Sequence, residues 1–257
     1  MKKAIKTGCV SLSIFLIVMT FCGCNSHGPS TSEASSIYGT FKITAGPDNN
    51  MWFTGNGDNK IGKISPQSGK VTEYNIPTPN ANAYAIATGT DNNIWFTEMG
   101  TDKIGKISPQ NGEITEYDIP TQNTSPDAIA AGPDNNIWFT ESGVDKIGKI
   151  SPQNGEITEY DIPTQNASPD AIAAGPDNNM WFAEFVGNKI GQISPQSGVI
   201  KEYSITSLGT GSGSVTAEPK GIAAGPDNNM WLAESDASKI GKINPTTGII
   251  IELPIGH

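Results

Sequence analysis

Five tryptophans mark the chain at nearly even intervals. Trp52, Trp95, Trp138, Trp181 and Trp231 are separated by 43, 43, 43 and 50 residues. The units around them are close copies: Asp91–Pro133 and Asp134–Pro176 differ only at Met99/Ser142, Thr101/Val144 and Thr124/Ala167. A unit of this length cannot bury its apolar surface alone. It must stack on its neighbours, as the blades of a propeller or the turns of a solenoid do.

Each unit holds four short apolar segments. In one of them Ala128-Ile129-Ala130-Ala131 precedes Gly132-Pro133-Asp134-Asn135-Asn136, a cluster of turn formers. Ile137-Trp138-Phe139-Thr140 follows, then Lys146-Ile147-Gly148-Lys149-Ile150, a Ser151-Pro152-Gln153 turn, and Ile157 to Ile162 before Pro163. β-Branched and aromatic residues dominate these segments, and none offers a long run at helical spacing. Four antiparallel strands per unit make one propeller blade. Small residues crowd the first strand (Ala85, Ala87, Ala128, Ala130, Ala171, Ala173), as an innermost strand near the axis requires. The fold expected is all-β, a propeller of five four-stranded blades over residues 38–257, with each Trp packed between adjacent sheets. No unit is split between the two ends of the chain, so closure of the ring rests on packing, with an open arc or an assembly of two chains as alternatives. The Asp-Asn-Asn of each unit reads as a turn held by its own side chains, since it lacks the spacing and bidentate Glu of an EF-hand.

Residues 1–23 read as a lipoprotein signal peptide. Lys2, Lys3 and Lys6 precede a short apolar stretch that ends Phe21-Cys22-Gly23-Cys24. Cys24 is the expected lipidation site, with an ordinary signal peptide or a membrane anchor as alternatives. Residues 24–37, rich in Ser, Gly and Thr, read as a flexible tether. The expected location is outside the cytoplasm, on the cell envelope, with the membrane touched only through the lipid. Loss of the signal, which carries three Lys and no acid, takes the formal charge from −10 to −13. It also takes Cys9 and Cys22, so the folded part carries no disulfide.

Composition excludes several functions. The chain has 16 Lys and no Arg, so no bidentate fork exists for phosphate or guanine. With the acidic balance this argues against nucleic acid as a partner. His27 and His257, the two histidines, lie outside the repeats, which argues against Ser-His-Asp, Cys-His and His-rich metal chemistry.

In a blade the chain reaches the inner strand from one face, and the loop between strands two and three lies on that same face. Glu98, Glu141, Glu184 and Glu234 open those loops, with Gly55 in the first unit, and Asp127 and Asp170 head inner strands beside them. One reading is a broken ring of carboxylates at the channel mouth. It would attract Mg²⁺, Ca²⁺ or a cationic ligand. The other is that repeated glutamates serve the fold. The residues that break the repeat are the candidate pocket lining: Tyr84, Met99, Phe185, Val186, Lys220 and Asp236. Seven extra residues around Ser207–Thr216 lengthen one lead-in loop on this face, as a flexible loop or a lid over the mouth.

The unit A-G-P-D-N-N-x-W-F-x-E, K-I-G-K-I-S-P, G-x-I-x-E-Y-x-I-P resembles the virginiamycin B lyase family, within the wider group of NHL-like propellers. The likeness covers about residues 41–255. It implies a propeller, usually seven-bladed, that opens streptogramin B antibiotics by Mg²⁺-assisted elimination at the ester bond. A His serves as base and acidic residues lie near the metal; the cation steadies the enolate-like charge while the base takes the α-proton. The resemblance places the catalytic histidines just after W-F-T-E. Two residues past that Glu this chain has Gly100, Gly143, Val186 and Asp236. Only the acidic part carries over, onto Glu98, Glu141, Glu184 and Glu234. The function expected is therefore binding of a small molecule or protein on the acidic face by a monomer. The alternatives are an Mg-dependent C–O lyase acting on streptogramin B-type cyclic depsipeptides and a structural repeat protein of the envelope.

Overall fold

The computed structural model describes residues 40–55, 57–205 and 217–255. The signal peptide, the tether, Cys24, the loop around 207–216 and both histidines lie outside the described residues. Residues 37–257 form one compact unit. Among the described residues no helix is long and apolar enough to cross a membrane.

The described residues form five four-stranded antiparallel sheets, each built from four consecutive strands. Blade 1 comprises β1 (Thr40–Ala45), β2 (Met51–Gly55), β3 (Lys60–Ile64) and β4 (Val71–Asn75). Blade 2 has β5 (Ala83–Thr88), β6 (Ile94–Glu98), β7 (Lys103–Ile107) and β8 (Ile114–Asp118). Blade 3 has β9 (Pro126–Ala131), β10 (Ile137–Glu141), β11 (Lys146–Ile150) and β12 (Ile157–Asp161). Blade 4 has β13 (Pro169–Ala174), β14 (Met180–Glu184), β15 (Lys189–Ile193) and β16 (Ile200–Ser204). Blade 5 has β17 (Pro219–Ala224), β18 (Met230–Glu234), β19 (Lys239–Ile243) and β20 (Ile250–Pro254). Inner strands start about two residues earlier than the apolar runs indicate, because Pro126 and its counterparts pair with the Glu at the end of the second strand.

The inner strands β1, β5, β9, β13 and β17 stand side by side in chain order, each against the next. Every blade has two faces, set by strand alternation. The leading face carries the Trp of its second strand and an Ile of its third. The trailing face carries an Ile on the inner strand, an Ile or Met and a Phe or Leu on the second strand, and an Ile on the third. Four interfaces join leading to trailing faces. Trp52 and Ile61 pack on Ile86, Ile94, Phe96 and Ile107; Trp95 and Ile104 pack on Ile129, Ile137, Phe139 and Ile150. Trp138 and Ile147 meet Ile172, Met180, Phe182 and Ile193, and Trp181 and Ile190 meet Ile222, Met230, Leu232 and Ile243. The first four tryptophans are fully buried, and each stacks on the Tyr of its fourth strand, as Trp138 does on Tyr160 at 5.7 Å.

The turns follow the expected chemistry. Asp134 Oδ1 accepts from Asn136 N and from Trp138 Nε1 at 2.9 Å. The Asp-Asn-Asn turn therefore holds itself and also satisfies the indole of the strand it introduces.

Candidate functional site

The loops behave as the topology requires. Gly143 N bonds to Thr124 O and Ser142 N to Ser125 O, so the loop after β10 is tied to the segment leading into β9. The next tie runs between blades. Asp102 accepts from Asn123 N and Thr124 N, both at 2.8 Å. Asp145 accepts from Asn166 N and Ser168 N, and Asn59 holds Ile76 O, Thr78 O and Ala81 N. Sequence reasoning missed these residues. The signal was the residue directly before each K-I-G, Asn or Asp in the first four units and Ser238 in the fifth, which takes a positive φ in all five.

The four glutamates do not stand at the mouth. Glu98, Glu141 and Glu184 are fully buried and Glu234 is nearly so. Glu141 has the same strand parity as Ile137 and Phe139, which sends its side chain into the trailing face of its blade. There it meets Glu159 of β12. Burial, then the charge of Glu159, pushes the Glu141 carboxyl up to about 9. Burial and Glu116 raise Glu98 to about 7, and burial and Glu202 raise Glu184 to about 8. Glu98, Glu141 and Glu184 are thus each closed inside their own blade beside a partner carboxyl. Among the described residues no group of three or more His, Cys, Asp or Glu could hold a metal ion. The described residues therefore do not fit a Mg²⁺ or Ca²⁺ site, which needs several converging oxygens.

A different set does converge. Ala83, Pro126, Pro169 and Pro219 share one register position, opposite the Glu that ends the second strand. The residues that follow them, Tyr84, Asp127, Asp170 and Lys220, therefore occupy equivalent points on four neighbouring inner strands. Burial, then Asp170, raises Asp127 to about 7, opposed by Lys42. Burial raises Asp170 also, opposed by Lys220 and Lys42. Burial and both aspartates raise Tyr84. Lys220 Nζ stands 4.6 Å from the Phe185 ring centroid and Lys42 Nζ 5.6 Å from that of Tyr84. A cavity of about 190 Å³ opens here, lined by residues of the first four inner strands that include Lys42, Asp127 and Asp170.

Of the residues picked from the sequence, Tyr84, Asp127, Asp170, Phe185 and Lys220 belong to this cluster. Met99, Val186 and Asp236 stay in the loops after the second strands, Met99 half-buried and the other two exposed. Lys42 was missed. It stands where the other units have Ala85, Ala128, Ala171 and Gly221, a departure that comparison of the units reveals.

The sequence profile of the virginiamycin B lyase family matches residues 30–249. The chain belongs to the virginiamycin B lyase family. The crystal structure of selenomethionine-substituted virginiamycin B lyase from Staphylococcus aureus superposes with a TM-score of 0.77 at 39% identity, over 85% of this chain and 70% of that one. A catalytically inactive His-to-Ala variant of virginiamycin B lyase from Staphylococcus aureus, with quinupristin, gives 0.77 at 40% identity, over 84% and 70%. A streptogramin B lyase structure gives 0.76 at 38%, over 85% and 69%. Among curated proteins no sequence matched. Within the virginiamycin B lyase fold, then, this chain supplies five blades whose inner strands carry Lys42, Tyr84, Asp127, Asp170 and Lys220, with Phe185 beside them from the loop after β14.

Proposed function

We propose that this virginiamycin B lyase-family propeller binds a small molecule at the loop end of its channel and does not turn it over. One observation carries the reading. Units that are otherwise near-copies diverge in chemical type on their inner strands, where Tyr84, Asp127, Asp170 and Lys220 occupy equivalent positions on neighbouring strands. A residue kept only for blade packing has no reason to change from aromatic to acid to base at equivalent points. Mixed charge beside aromatic faces suits a ligand with both polar and ring groups.

Residue chemistry favours binding over elimination. A single His-to-Ala change is described as catalytically inactive in a relative, and this chain has no His within its five units. The second reading is a lyase of the family type with a carboxylate base. Asp127, held at about 7, is the group whose protonation suits that work. We further propose that Cys24 is acylated and tethers the propeller to the outside of the cytoplasmic boundary, as the Phe21-Cys22-Gly23-Cys24 sequence supports.

Calorimetric titration with quinupristin tests the site. Saturable binding is expected, weakened about tenfold or more in Asp127→Asn and Asp170→Asn. Absence of binding, with the propeller folded, overturns the reading and leaves a structural repeat protein of the envelope.

A further inference from the structure

Blade 4 departs from the other units on its two outer strands. Lys63, Lys106, Lys149 and Lys242 share one position on the third strand, and blade 4 has Gln192 there. Thr72, Thr115, Thr158 and Ile251 share the position paired with it on the fourth strand, and blade 4 has Lys201 there. Cross-strand partners lie on one face of a sheet. The lysine of this unit has therefore moved one strand outward, a step of about 4.8 Å. A third change meets these two. The turn between strands three and four carries Gln67, Gln110, Gln153 and Gln196 in the first four units and the shorter Thr246 in the fifth. That turn of blade 5 stands beside Tyr203 of blade 4.

The lysines of the other units show what this space takes. Lys149 Nζ lies 5.2 Å from the Trp138 ring centroid and 5.6 Å from that of Tyr160. Lys63 Nζ also pairs with Asp48 at 3.4 Å, and Lys242 Nζ with Asp227 at 3.6 Å. In blade 4 the amide of Gln192 takes that place. It donates to Asp177 Oδ2 at 2.6 Å and accepts from the Tyr203 hydroxyl at 3.0 Å. It supplies a hydrogen bond and no charge. Asp177 also accepts from Asn179 and from Trp181 Nε1, so all of these donors are neutral. Burial raises the Asp177 carboxyl, but these bonds outweigh burial and hold it below its usual range. Among the described residues neither Asp177 nor Lys201 forms an ion pair.

A cavity of about 500 Å³ opens where the three changes meet, walled by Asp177, Gln192, Lys201, Tyr203, Pro245 and Thr246. Both walls, blade 4 and the turn of blade 5, belong to this chain. The Asp127–Asp170 cluster lies elsewhere: Asp170 is near the start of β13, and Asp177 is in the turn that follows its end.

We propose that this groove binds a zwitterion the size of a dipeptide, its ammonium beside Asp177 and its carboxylate on Lys201. Other units fill the space beside the ring pair with their own ammonium. Blade 4 has withdrawn that ammonium and set it one strand away, leaving a negative and a positive group in one groove. A molecule with opposite charges at its two ends matches both groups, whereas one with like ends is repelled by one of them. Hydroxyl and amide side chains make up most of the remaining wall and suit a peptide group, and the volume is that of a small-molecule site.

NMR titration of the protein with seryl-serine tests this. The Trp181 indole N–H, which donates to Asp177, reports on the site, and Trp52, Trp95 and Trp138 serve as internal controls. Seryl-serine is expected to shift the Trp181 signal saturably and to leave the three controls in place. N-acetyl-seryl-serine and seryl-serine amide each lose one charge and are expected to bind about tenfold more weakly or worse. Gln192→Lys and Lys201→Thr each install the residue that other units carry, so the fold is kept. Each is expected to weaken binding about tenfold or more. Asp170→Asn, at the loop-end cluster, is expected to leave seryl-serine binding unchanged, which separates this site from the one proposed for quinupristin. The absence of a saturable Trp181 shift overturns the proposal. Equal binding by the capped peptides, or unchanged binding in Gln192→Lys, overturns it as well.

Discussion

Glu141 lies against Glu159 inside blade 3, and the two carboxyls have too few donors between them. Neither oxygen of Glu141 accepts a hydrogen bond, and Oε1 of Glu159 accepts none. A proton held on Glu141 supplies the missing donor, which agrees with its rise to about 9.

This pair makes the fold sensitive to alkali. Below about pH 4.5 the folded and unfolded chains both hold the proton. Between about 4.5 and 9 the unfolded chain releases it and the folded chain keeps it, so stability falls as pH rises, by up to about 1.4 kcal/mol per pH unit. Glu98 and Glu184 act in the same direction up to about 7 and 8. Gln at position 141 cannot ionise and can still donate to Glu159. Glu141→Gln is therefore expected to match the native chain near pH 5 and to exceed it in urea unfolding at pH 8.5. Parallel pH profiles for the two would refute the shared proton.

Gly148 carries a second constraint. It pairs with Phe139 across β10 and β11, and the Phe139 ring lies where a Cβ on Gly148 would stand. The same contact recurs at Gly62/Phe53, Gly105/Phe96 and Gly191/Phe182. Gly148→Ala is expected to cost about 1–3 kcal/mol through overpacking, and Gly148→Ala with Phe139→Leu to cost less than the two changes summed. Additive losses in denaturant unfolding would show that the ring does not need the glycine.

The lipid reading of the N-terminus has its own check. Cys24→Ser is expected to prevent acylation and move the protein from the membrane fraction to the soluble one, with the propeller intact. Metabolic labelling with a fatty-acid analogue reads this directly. Label retained by the Cys24→Ser variant would point to a different anchor.

The fold was legible because the repeat is nearly exact and each strand carries its own signature: small residues inside, Trp and Phe next, K-I-G-K-I third, a Tyr-bearing strand outside. Blade count, face assignment and the Asp-Asn-Asn turn all follow from that pattern. The site was legible only in part. Glu98, Glu141, Glu184 and Glu234 look like mouth residues because loops follow them, but strand parity turns each toward the side of Phe139 and its counterparts, into packed interior. Asp127 and Asp170 were visible at the heads of inner strands. Lys42 was legible too, as the one large charged residue at a position that is small in every other unit, but it was missed.

The measurement that tests the functional account most directly is turnover. The chain from Thr31 to His257 is incubated with quinupristin, with and without Mg²⁺, beside an authentic lyase, and ring opening is followed by mass spectrometry. The account predicts intact quinupristin while the control reaction goes to completion. Metal-dependent linearisation above background would contradict it, and loss of that activity in Asp127→Asn would assign the base.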